Sequence, residues 1–435
     1  MDAVEQQAQD QSHESTGEVA SEVPAGERIG FHDPYAAFRY RDFRLLTAGS
    51  FVGSLGSQML SVAVGWELYE RTGSALDLGL IGLVQVIPVI LFSLPAGHIA
   101  DRFDRRRIVL FMQILLALAS LGLAFLSYVH GSLALVYLCL LWIGTARAFN
   151  GPASGSLLPQ TVPREVFTNA VTWESSSWQL AAVIGPALGG FVIAVRRSAT
   201  PVYVLDAVGA LIMMASVALM RSRQPRREHE EVNLRSLMAG VGFIWRTKVI
   251  LAAITLDLFA VLLGGATTLL PIFAKDILHV GPTGLGWLRG APSVGAVLVA
   301  IGLAYLPPFK QAGKTLLWVV AGFGIATIVF GLSRSFALSL LMLAFLGAFD
   351  GVSVVIRSTL LLVRTPDEMR GRVSAFHSVF IGASNELGGF ESGVAAALVG
   401  PVLAVAGGGV GTLLVVLFVA LIWPEVRQLG RLSET

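Results

Sequence analysis

The stretch from Gly97 to Arg107 reads GHIADRFDRRR and contains six charged side chains. Apolar runs of about 20 residues lie on both sides of it, from Leu78 to Ile99 and from Ile108 to Tyr128. An α-helix of about that length crosses the ~30 Å hydrocarbon core of a bilayer. A short basic turn between two such helices is typical of a cytoplasmic hairpin. The stretch therefore predicts an integral membrane protein whose second and third helices are joined in the cytoplasm.

The composition agrees with a membrane location. Of the 435 residues, 54% are hydrophobic and 14% are charged, whereas a soluble domain carries about a quarter charged residues. The net charge of +2 is too small for a nucleic-acid surface. The single cysteine, Cys139, excludes a disulfide framework or a cysteine metal site. The sequence has neither a nucleotide-binding loop nor a His-Glu-x-x-His zinc motif. We therefore expect no enzymatic activity, metal or cofactor, and no role for ATP or nucleic acid.

Apolar stretches of helical length predict an all-α membrane protein of twelve transmembrane helices, since backbone groups in lipid must be bonded within each segment. The predicted spans are 44–69, 76–99, 107–128, 133–155, 167–195, 202–221, 249–273, 283–306, 314–332, 336–362, 373–399 and 403–423. A polar central segment separates them into two groups of six. The predicted organisation is a disordered cytoplasmic tail (1–42), a six-helix half (43–221), a cytoplasmic loop (222–248), a second six-helix half (249–424) and a cytoplasmic tail (425–435).

The distribution of Lys and Arg predicts the orientation. The connections on one side contain most of the basic residues, whereas those on the other side contain only Arg71, Arg196, Arg197, Lys275 and Arg334. Basic loops remain in the cytoplasm. Both termini and the central loop are therefore predicted to be cytoplasmic, in a multi-pass protein of a cell membrane, here the bacterial inner membrane.

The two groups of six spans repeat short patterns. The segment 148–151 (AFNG) in span four recurs as 348–351 (AFDG) in span ten, and Leu78-Gly79 in span two recurs as Leu285-Gly286 in span eight. Parallel halves of this kind are a known transporter architecture, with the substrate path between them near the middle of the membrane.

Three motifs resemble those of the major facilitator superfamily. The pattern Gly-x-x-x-Asp-Arg-x-x-Arg-Arg resembles the family's loop between helices two and three, and its Asp104 variant is similar to the branch of enterobactin exporters and drug–proton antiporters. Arg147 to Gly151 in span four resembles the family's intramembrane Arg motif, with Asn150 where Gln is commoner. The segment 185–190 (GPALGG) in span five resembles the Gly-Pro-x-x-Gly-Gly motif of exporters and antiporters.

The resemblance implies roles for these residues. The hairpin is expected to gate the cytoplasmic side and to hold the two halves together there, through Gly97, Asp101, Arg102, Arg105 and Arg106. The span-five motif is expected to be a conformational hinge formed by Gly185, Pro186, Gly189 and Gly190. The alternative for the hairpin is a simple topology signal. The alternative for the span-five motif is a seam at which helices pack.

Charged residues inside apolar spans are functional candidates because a charge in lipid is costly. The predicted proton and substrate pathway comprises Arg147, Asn150, Glu174, Asp257, Arg289, Asp350, Arg357, Glu386 and Glu391. Arg147 is expected to pair with Glu174, and this pair is either functional or a static brace. Asp257 and Glu386 are the preferred proton carriers. Glu391 is expected near the outer opening of the pathway. Glu67 and Asp206 are expected near outer helix ends, in exposed positions without a functional role.

The predicted function is export of an amphipathic small molecule, a siderophore or drug-like compound, by a secondary transporter that uses proton antiport and alternating access. The expected partners are the substrate, protons and the lipid bilayer, and the expected state is a monomer. Two alternatives remain open. One is an importer or symporter of a nutrient with the same fold, and the other is a non-transporting membrane receptor or scaffold.

Overall fold

The computed structural model describes residues 33–221, 242–307 and 309–430. These ranges contain twelve helices of 16 or more residues. The first six are α1 (Arg41–Thr72), α2 (Ala75–Arg102), α3 (Arg105–Tyr128), α4 (Leu133–Gly155), α5 (Phe167–Arg196) and α6 (Thr200–Leu219). The second six are α7 (Lys248–Leu263), α8 (Gly281–Tyr305), α9 (Ala312–Leu332), α10 (Phe336–Arg364), α11 (Asp367–Val399) and α12 (Pro401–Ile422). Residues 1–32 of the predicted disordered tail (1–42) lie outside the described residues, as do most of the central loop and the last five residues. The described part of the tail contains a 3-10 helix at Ala36–Arg39 and the first residues of α1.

The all-α membrane fold is confirmed. Nine helices of the described ranges are long and apolar enough to cross a membrane, namely α2 to α6, α8 to α10 and α12. Of the other three, α7 has 16 residues, and α1 and α11 are rich in Gly, Ser and charged side chains. Membrane crossing by these three helices remains a prediction.

The prediction that span seven is one helix over 249–273 is wrong. Helix α7 ends at Leu263, and the chain resumes a helical turn only at Leu270–Ile272, followed by a π-helical segment at Phe273–Ile277. Gly264 and Gly265 occupy the break, and glycine disfavours helix by about 1 kcal/mol relative to alanine. A Cβ on Gly265 would lie 2.4 Å from Ser392 Oγ on α11. The break therefore lets the backbone after α7 pack directly against α11.

Two pairs of helices join the halves. Helix α2 packs along α11, and α5 packs along α8. Each pair combines the second helix of one half with the fifth helix of the other, so the two seams are equivalent. This arrangement supports the repeat detected in the sequence.

Close glycine contacts form both seams. A Cβ on Gly393 of α11 would lie 2.5 Å from Gly79 Cα of α2, and a Cβ on Gly190 of α5 would lie 3.1 Å from Gly286 Cα of α8. Gly79 and Gly286 are the glycines of the repeated Leu-Gly pair. The repeat is thus explained by helix packing, since only small residues let two helix backbones approach so closely.

The halves meet at the α1–α2 end of the bundle. One hydrophobic core, which includes Leu78, Leu140, Leu270 and Leu285, contains residues of both halves near the α1–α2 connection. The remaining core clusters contain residues of one half each. The molecule is therefore closed at the α1–α2 end, which faces away from the cytoplasm in the predicted orientation.

Candidate functional site

The intramembrane charges lie in three places. The first is a cavity enclosed by α1 and α3 to α6, which we call the N-half cavity. The second is a cavity between α1, α2, α4 and the second half, which we call the inter-half cavity. The third is the C-half cluster, which consists of Asp257, Asp350 and Arg357. Arg147 of α4 lines both cavities. The two cavities therefore adjoin at this guanidinium group.

The N-half cavity has a volume of about 270 Å³ and is lined by Arg147, Asn150, Glu174 and Asp206, together with several serines. The Thr47 hydroxyl donates to Glu174 Oε2 at 3.2 Å. The Oδ1 atom of Asn150 is buried and has no hydrogen-bond partner among the described residues. A buried amide oxygen without a partner is costly, so this oxygen is available to a bound molecule or water.

The expected pairing of Arg147 with Glu174 is wrong for this conformation. Arg147 donates to Gln85 Oε1 and Ser57 Oγ, each at 2.9 Å. Helix α4 packs on α2 and α3, whereas the prediction assumed that α4 packs on α5 because they are neighbours in sequence. The two side chains line the same cavity but bind different partners.

Asp206 is a candidate that sequence reasoning placed wrongly, at an exposed outer helix end. Its side chain is buried, and Ser120 Oγ donates to Asp206 Oδ2 at 2.5 Å. Helix α6 begins at Thr200, so Asp206 lies almost two turns inside the bundle. An acidic residue within an apolar run was the sequence signal for a buried site, but the depth of Asp206 in the bundle was underestimated. Glu67, by contrast, pairs with Arg71 at 3.4 Å near the end of α1.

The inter-half cavity has a volume of about 120 Å³ and contains Arg147, Arg289 and Glu386. Arg289 Nε of α8 donates to Ser61 Oγ of α1 at 3.0 Å, and its Nη1 donates to the Thr267 carbonyl at 3.4 Å. Within the described ranges, both guanidinium groups hydrogen-bond only to neutral partners. Glu386 interacts electrostatically with both guanidinium groups, those of Arg147 and Arg289. The cavity is therefore polar and lies between the halves, where a transporter binds its substrate.

The C-half cluster is an ion-pair network. The Arg357 guanidinium binds Asp257 directly, and both side chains are buried. Arg357 Nη2 lies 3.8 Å from Asp350 Oδ1, and Asp350 is half exposed. Asp350 and Arg357 are seven residues apart on α10, and this spacing puts them on one face of the helix. Asp257, a preferred proton carrier, is paired with a cation because α10 brings Arg357 against α7.

Two residues of the hairpin, Asp104 and Arg106, make contacts within the first half. Arg106 Nη2 donates to the Ala218 carbonyl at 2.6 Å, at the C-terminal end of α6. A cation at a helix C-terminus is favourable because it faces the negative end of the helix dipole. Asp104 caps α3 by accepting from Arg106 N at 2.9 Å, and Arg102 is exposed. The Asp101 side chain lies outside the described part of the structure, and the predicted cytoplasmic gate stays a prediction.

The glycines of the predicted hinge are close-contact positions. A Cβ on Gly185 would lie 2.6 Å from Gln58 Cβ, and a Cβ on Gly189 would lie 3.0 Å from Met59 Cα, both on α1. Gly190 faces α8 on the other side. Helix α5 is continuous through Pro186. In this conformation the motif acts as a seam between α1 and α8, and hinge motion stays a prediction.

Glu391 lies on α11 beyond Glu386, toward the closed end. Its carboxylate accepts from Ser392 Oγ at 3.4 Å. The predicted site residues thus divide among the two cavities, the C-half cluster, the hairpin and the seams.

Two equivalent helical halves, with a polar cavity between them that is closed at one end, are the architecture of a membrane transporter. A family model described as "Transmembrane secretion effector" matches residues 32–430. The chain belongs to this family, within the major facilitator superfamily, and is a multi-pass membrane transporter of small molecules, not an enzyme.

Relatives by sequence are named as exporters. The chain is 26% identical over 358 residues to the multidrug efflux pump Tap of Mycolicibacterium fortuitum, covering 80% of this chain and 86% of that protein. It is 25% identical over 387 residues to the enterobactin exporter EntS of Escherichia coli, covering 89% of this chain and 92% of that protein.

Solved structures share the fold. A bacterial homologue of the human lysosomal transporter Spinster, in an inward-facing and occupied conformation, superposes with a TM-score of 0.68 at 14% identity and covers 93% of this chain and 98% of its own. A peptide transporter POT in complex with sulfate gives a TM-score of 0.67 at 14% identity, covering 90% of this chain and 96% of its own. The major facilitator fold predicted from the three motifs is confirmed.

Proposed function

We propose that the protein exports an amphipathic small molecule, of the siderophore or drug-like kind, by proton antiport and alternating access. The relatives are named as an enterobactin exporter and a multidrug efflux pump, and they are matched along most of their length. The observation that carries the proposal is the polar cavity between the halves, which contains Arg147, Arg289 and Glu386. We further propose that the protein works as a monomer in the bacterial inner membrane, with both termini in the cytoplasm.

We propose that cargo enters from the hairpin end. The inter-half cavity is sealed toward the α1–α2 end by the shared core and by the glycine seams. In the proposed orientation the hairpin end faces the cytoplasm, which is the side from which an exporter loads its substrate. The apolar lining residues Leu60, Leu140 and Ile143 suit the apolar part of an amphipathic molecule, and the charged groups suit its polar part.

Antiport requires that cargo and proton exclude one another, and Glu386 is the group on which they compete. Cargo that donates hydrogen bonds from hydroxyl or ammonium groups binds the ionised carboxylate most strongly, and a proton on that carboxylate weakens the contact because it removes the negative charge. An anionic cargo group would instead be repelled by the ionised carboxylate and would bind together with the proton. The chemistry of the cargo therefore sets the direction of coupling, and donor-rich cargo is the kind that gives export.

The test of coupling is Glu386→Gln in proteoliposomes. The amide cannot exchange a proton, so accumulation driven by an imposed pH difference should be lost, while downhill exchange of substrate continues with weaker substrate binding. Glu70→Gln, on an exposed carboxylate near the end of α1, is the matched control and should retain accumulation. Retained gradient-driven accumulation by the Glu386→Gln protein would show that another group carries the proton.

The test of direction uses a panel of siderophores and dyes in inverted and right-side-out vesicles. An exporter accumulates its substrate in inverted vesicles when a proton gradient is imposed. Accumulation only in right-side-out vesicles would establish the importer alternative. Failure of every compound in both preparations, with the protein folded and inserted, would favour the receptor or scaffold alternative.

A further inference from the structure

A basic groove lies at the hairpin end of the second half, away from both cavities. It has a volume of about 710 Å³ and lies between the start of α9 and the segment 424–430 that follows α12. Three of its lining side chains are the cations Lys310, Lys314 and Arg427, and two more are the amides Gln311 and Gln428. No acidic residue lines it within the described ranges.

The three cations are exposed and have no hydrogen-bond or ion-pair partner among the described residues. The nearest acid in sequence, Glu425, is already bound by Lys248, with 3.1 Å between Lys248 Nζ and Glu425 Oε1. Three positive charges around one concave surface attract an anion with several oxygen acceptors. A phosphate ester fits this description because each ammonium or guanidinium group can donate to its oxygens.

The floor of the groove is fixed by the backbone. The Ala312 and Gly313 N–H groups donate to the Gly430 and Leu429 carbonyls, each at 3.3 Å. A Cβ on Gly313 would lie 1.7 Å from the Val426 carbonyl oxygen, so only glycine permits this approach. The segment after α12 is thereby held against the start of α9, and the basic side chains keep their spacing.

The rim of the groove is apolar and faces lipid. Trp318 lies one helical turn beyond Lys314 on the same face of α9, and 77% of its surface is exposed. Leu421 and Ile422, at the end of α12, are also exposed. Because α9 begins here and α12 ends here, the groove lies at the depth of the lipid headgroups, with apolar surface on the membrane side. A ligand that has both a phosphate and acyl chains satisfies both surfaces.

We propose that this groove binds the headgroup of an anionic phospholipid. The phosphate lies among Lys310, Lys314 and Arg427, and the acyl chains extend along Trp318 and the end of α12. Basic pockets at the cytoplasmic ends of membrane helices bind anionic headgroups in this manner. The site is independent of cargo and of proton coupling.

The test is native mass spectrometry of the full chain titrated with dioleoyl phosphatidylglycerol or dioleoyl phosphatidylcholine. The wild-type protein should retain the anionic lipid preferentially. Lys314→Gln with Arg427→Gln should weaken this binding by roughly twentyfold, since each basic side chain near the surface contributes about a fivefold factor. The matched control is Arg164→Gln with Arg246→Gln, which removes two exposed cations outside the groove and should leave the preference unchanged.

Three outcomes would overturn the proposal. The first is equal retention of the two lipids by the wild-type protein. The second is an equal loss in the control pair, which would show a general charge effect. The third is complete displacement of the lipid by glycerol 3-phosphate at equimolar concentration, which would show that the groove takes free phosphate esters. Unchanged melting temperatures establish that both pairs of variants remain folded.

Discussion

Arg357 connects two carboxylates that have different surroundings. Asp257 is buried against the guanidinium group, whereas Asp350 lies 3.8 Å away and is half exposed. Removing one member of a buried pair leaves an uncompensated charge, but removing an exposed partner leaves the remaining contacts intact. The two acids, which look alike in sequence, are therefore expected to differ in their contribution to stability.

We expect Asp257→Asn to destabilise the protein by roughly 3–5 kcal/mol, because Arg357 loses its buried counter-charge. Asp350→Asn should change stability little. The measurement is thermal unfolding in detergent, followed by tryptophan fluorescence. Combining Asp257→Asn with Arg357→Gln should recover part of the loss, since no charge is then left buried alone. Equal melting temperatures for the two single variants would contradict the pairing.

The sequence identified the buried charges but only some of their partners. Arg147, Arg289, Asp257 and Glu386 were recognised because each interrupts an apolar run. The partner of Arg147 was wrong because neighbours in sequence were taken as neighbours in space. Partners depend on the order in which helices pack, and a single sequence does not contain that order directly. Asp206 was misplaced for a related reason. An error of a few residues in a predicted helix boundary decides whether an acidic side chain is placed inside the bundle or at its end.

At the scale of helices, glycine contacts decide how the halves meet. Gly393 of α11 touches Gly79 of α2, and Gly382 of the same helix has open space around its Cα. Both residues are glycines in one continuous helix, so replacing either by alanine has the same effect on helix propensity. Only the Gly393 substitution introduces a methyl group into the seam.

We expect Gly393→Ala to weaken closure of the α1–α2 end, because its Cβ would lie 2.5 Å from Gly79 Cα. Labelling of a cysteine at Val64, in a chain with Cys139→Ser, reports access to the inter-half cavity from that end. An impermeant maleimide applied from the closed face should react several-fold faster in the Gly393→Ala protein. Gly382→Ala is the control and should match the parent. Equal rates in both variants would mean that the seam accommodates the methyl group.

Helix lengths were well predicted, and helix interruptions were not. Apolar runs of about 20 residues located most of the helices to within a few residues, because a bilayer imposes that length. Span seven was extended over Gly264 and Gly265, since both lie in an otherwise apolar run. The break depends on the close approach of α11, which is a tertiary contact. Local composition alone therefore did not reveal it.

At the scale of the whole molecule, a polar contact between the halves accompanies the hydrophobic closure. The Tyr69 hydroxyl, near the end of α1, donates to Asp276 in the π-helical segment of the second half. Lys275 Nζ lies 5.6 Å from the centroid of the Tyr69 ring. In the proposed alternating-access cycle this end must open, and these contacts would then break in each cycle. π-Helical segments are frequent at functional sites, and this one positions Asp276 across the interface.

We expect Tyr69→Phe to shift the population toward states open at the α1–α2 end. A hydrogen bond to a charged group contributes about 1.5–3 kcal/mol, so its loss should change the ratio of the two states by roughly tenfold or more. The matched control is Arg71→Gln. Arg71 lies at the same end but binds Glu67 and the Gly131 carbonyl, both within the first half.

The measurement is the distance distribution between spin labels at Val129 and Arg334, which lie in exposed connections of the two halves at the closed end. The Tyr69→Phe protein should gain a population at longer distance, and the Arg71→Gln protein should not. An equal gain in both would assign the effect to general loosening of this end. An unchanged distribution in the Tyr69→Phe protein would mean that the shared hydrophobic core and the glycine seams alone keep the end closed. The opening step would then depend on those seams, and Gly393→Ala would be the variant that changes it.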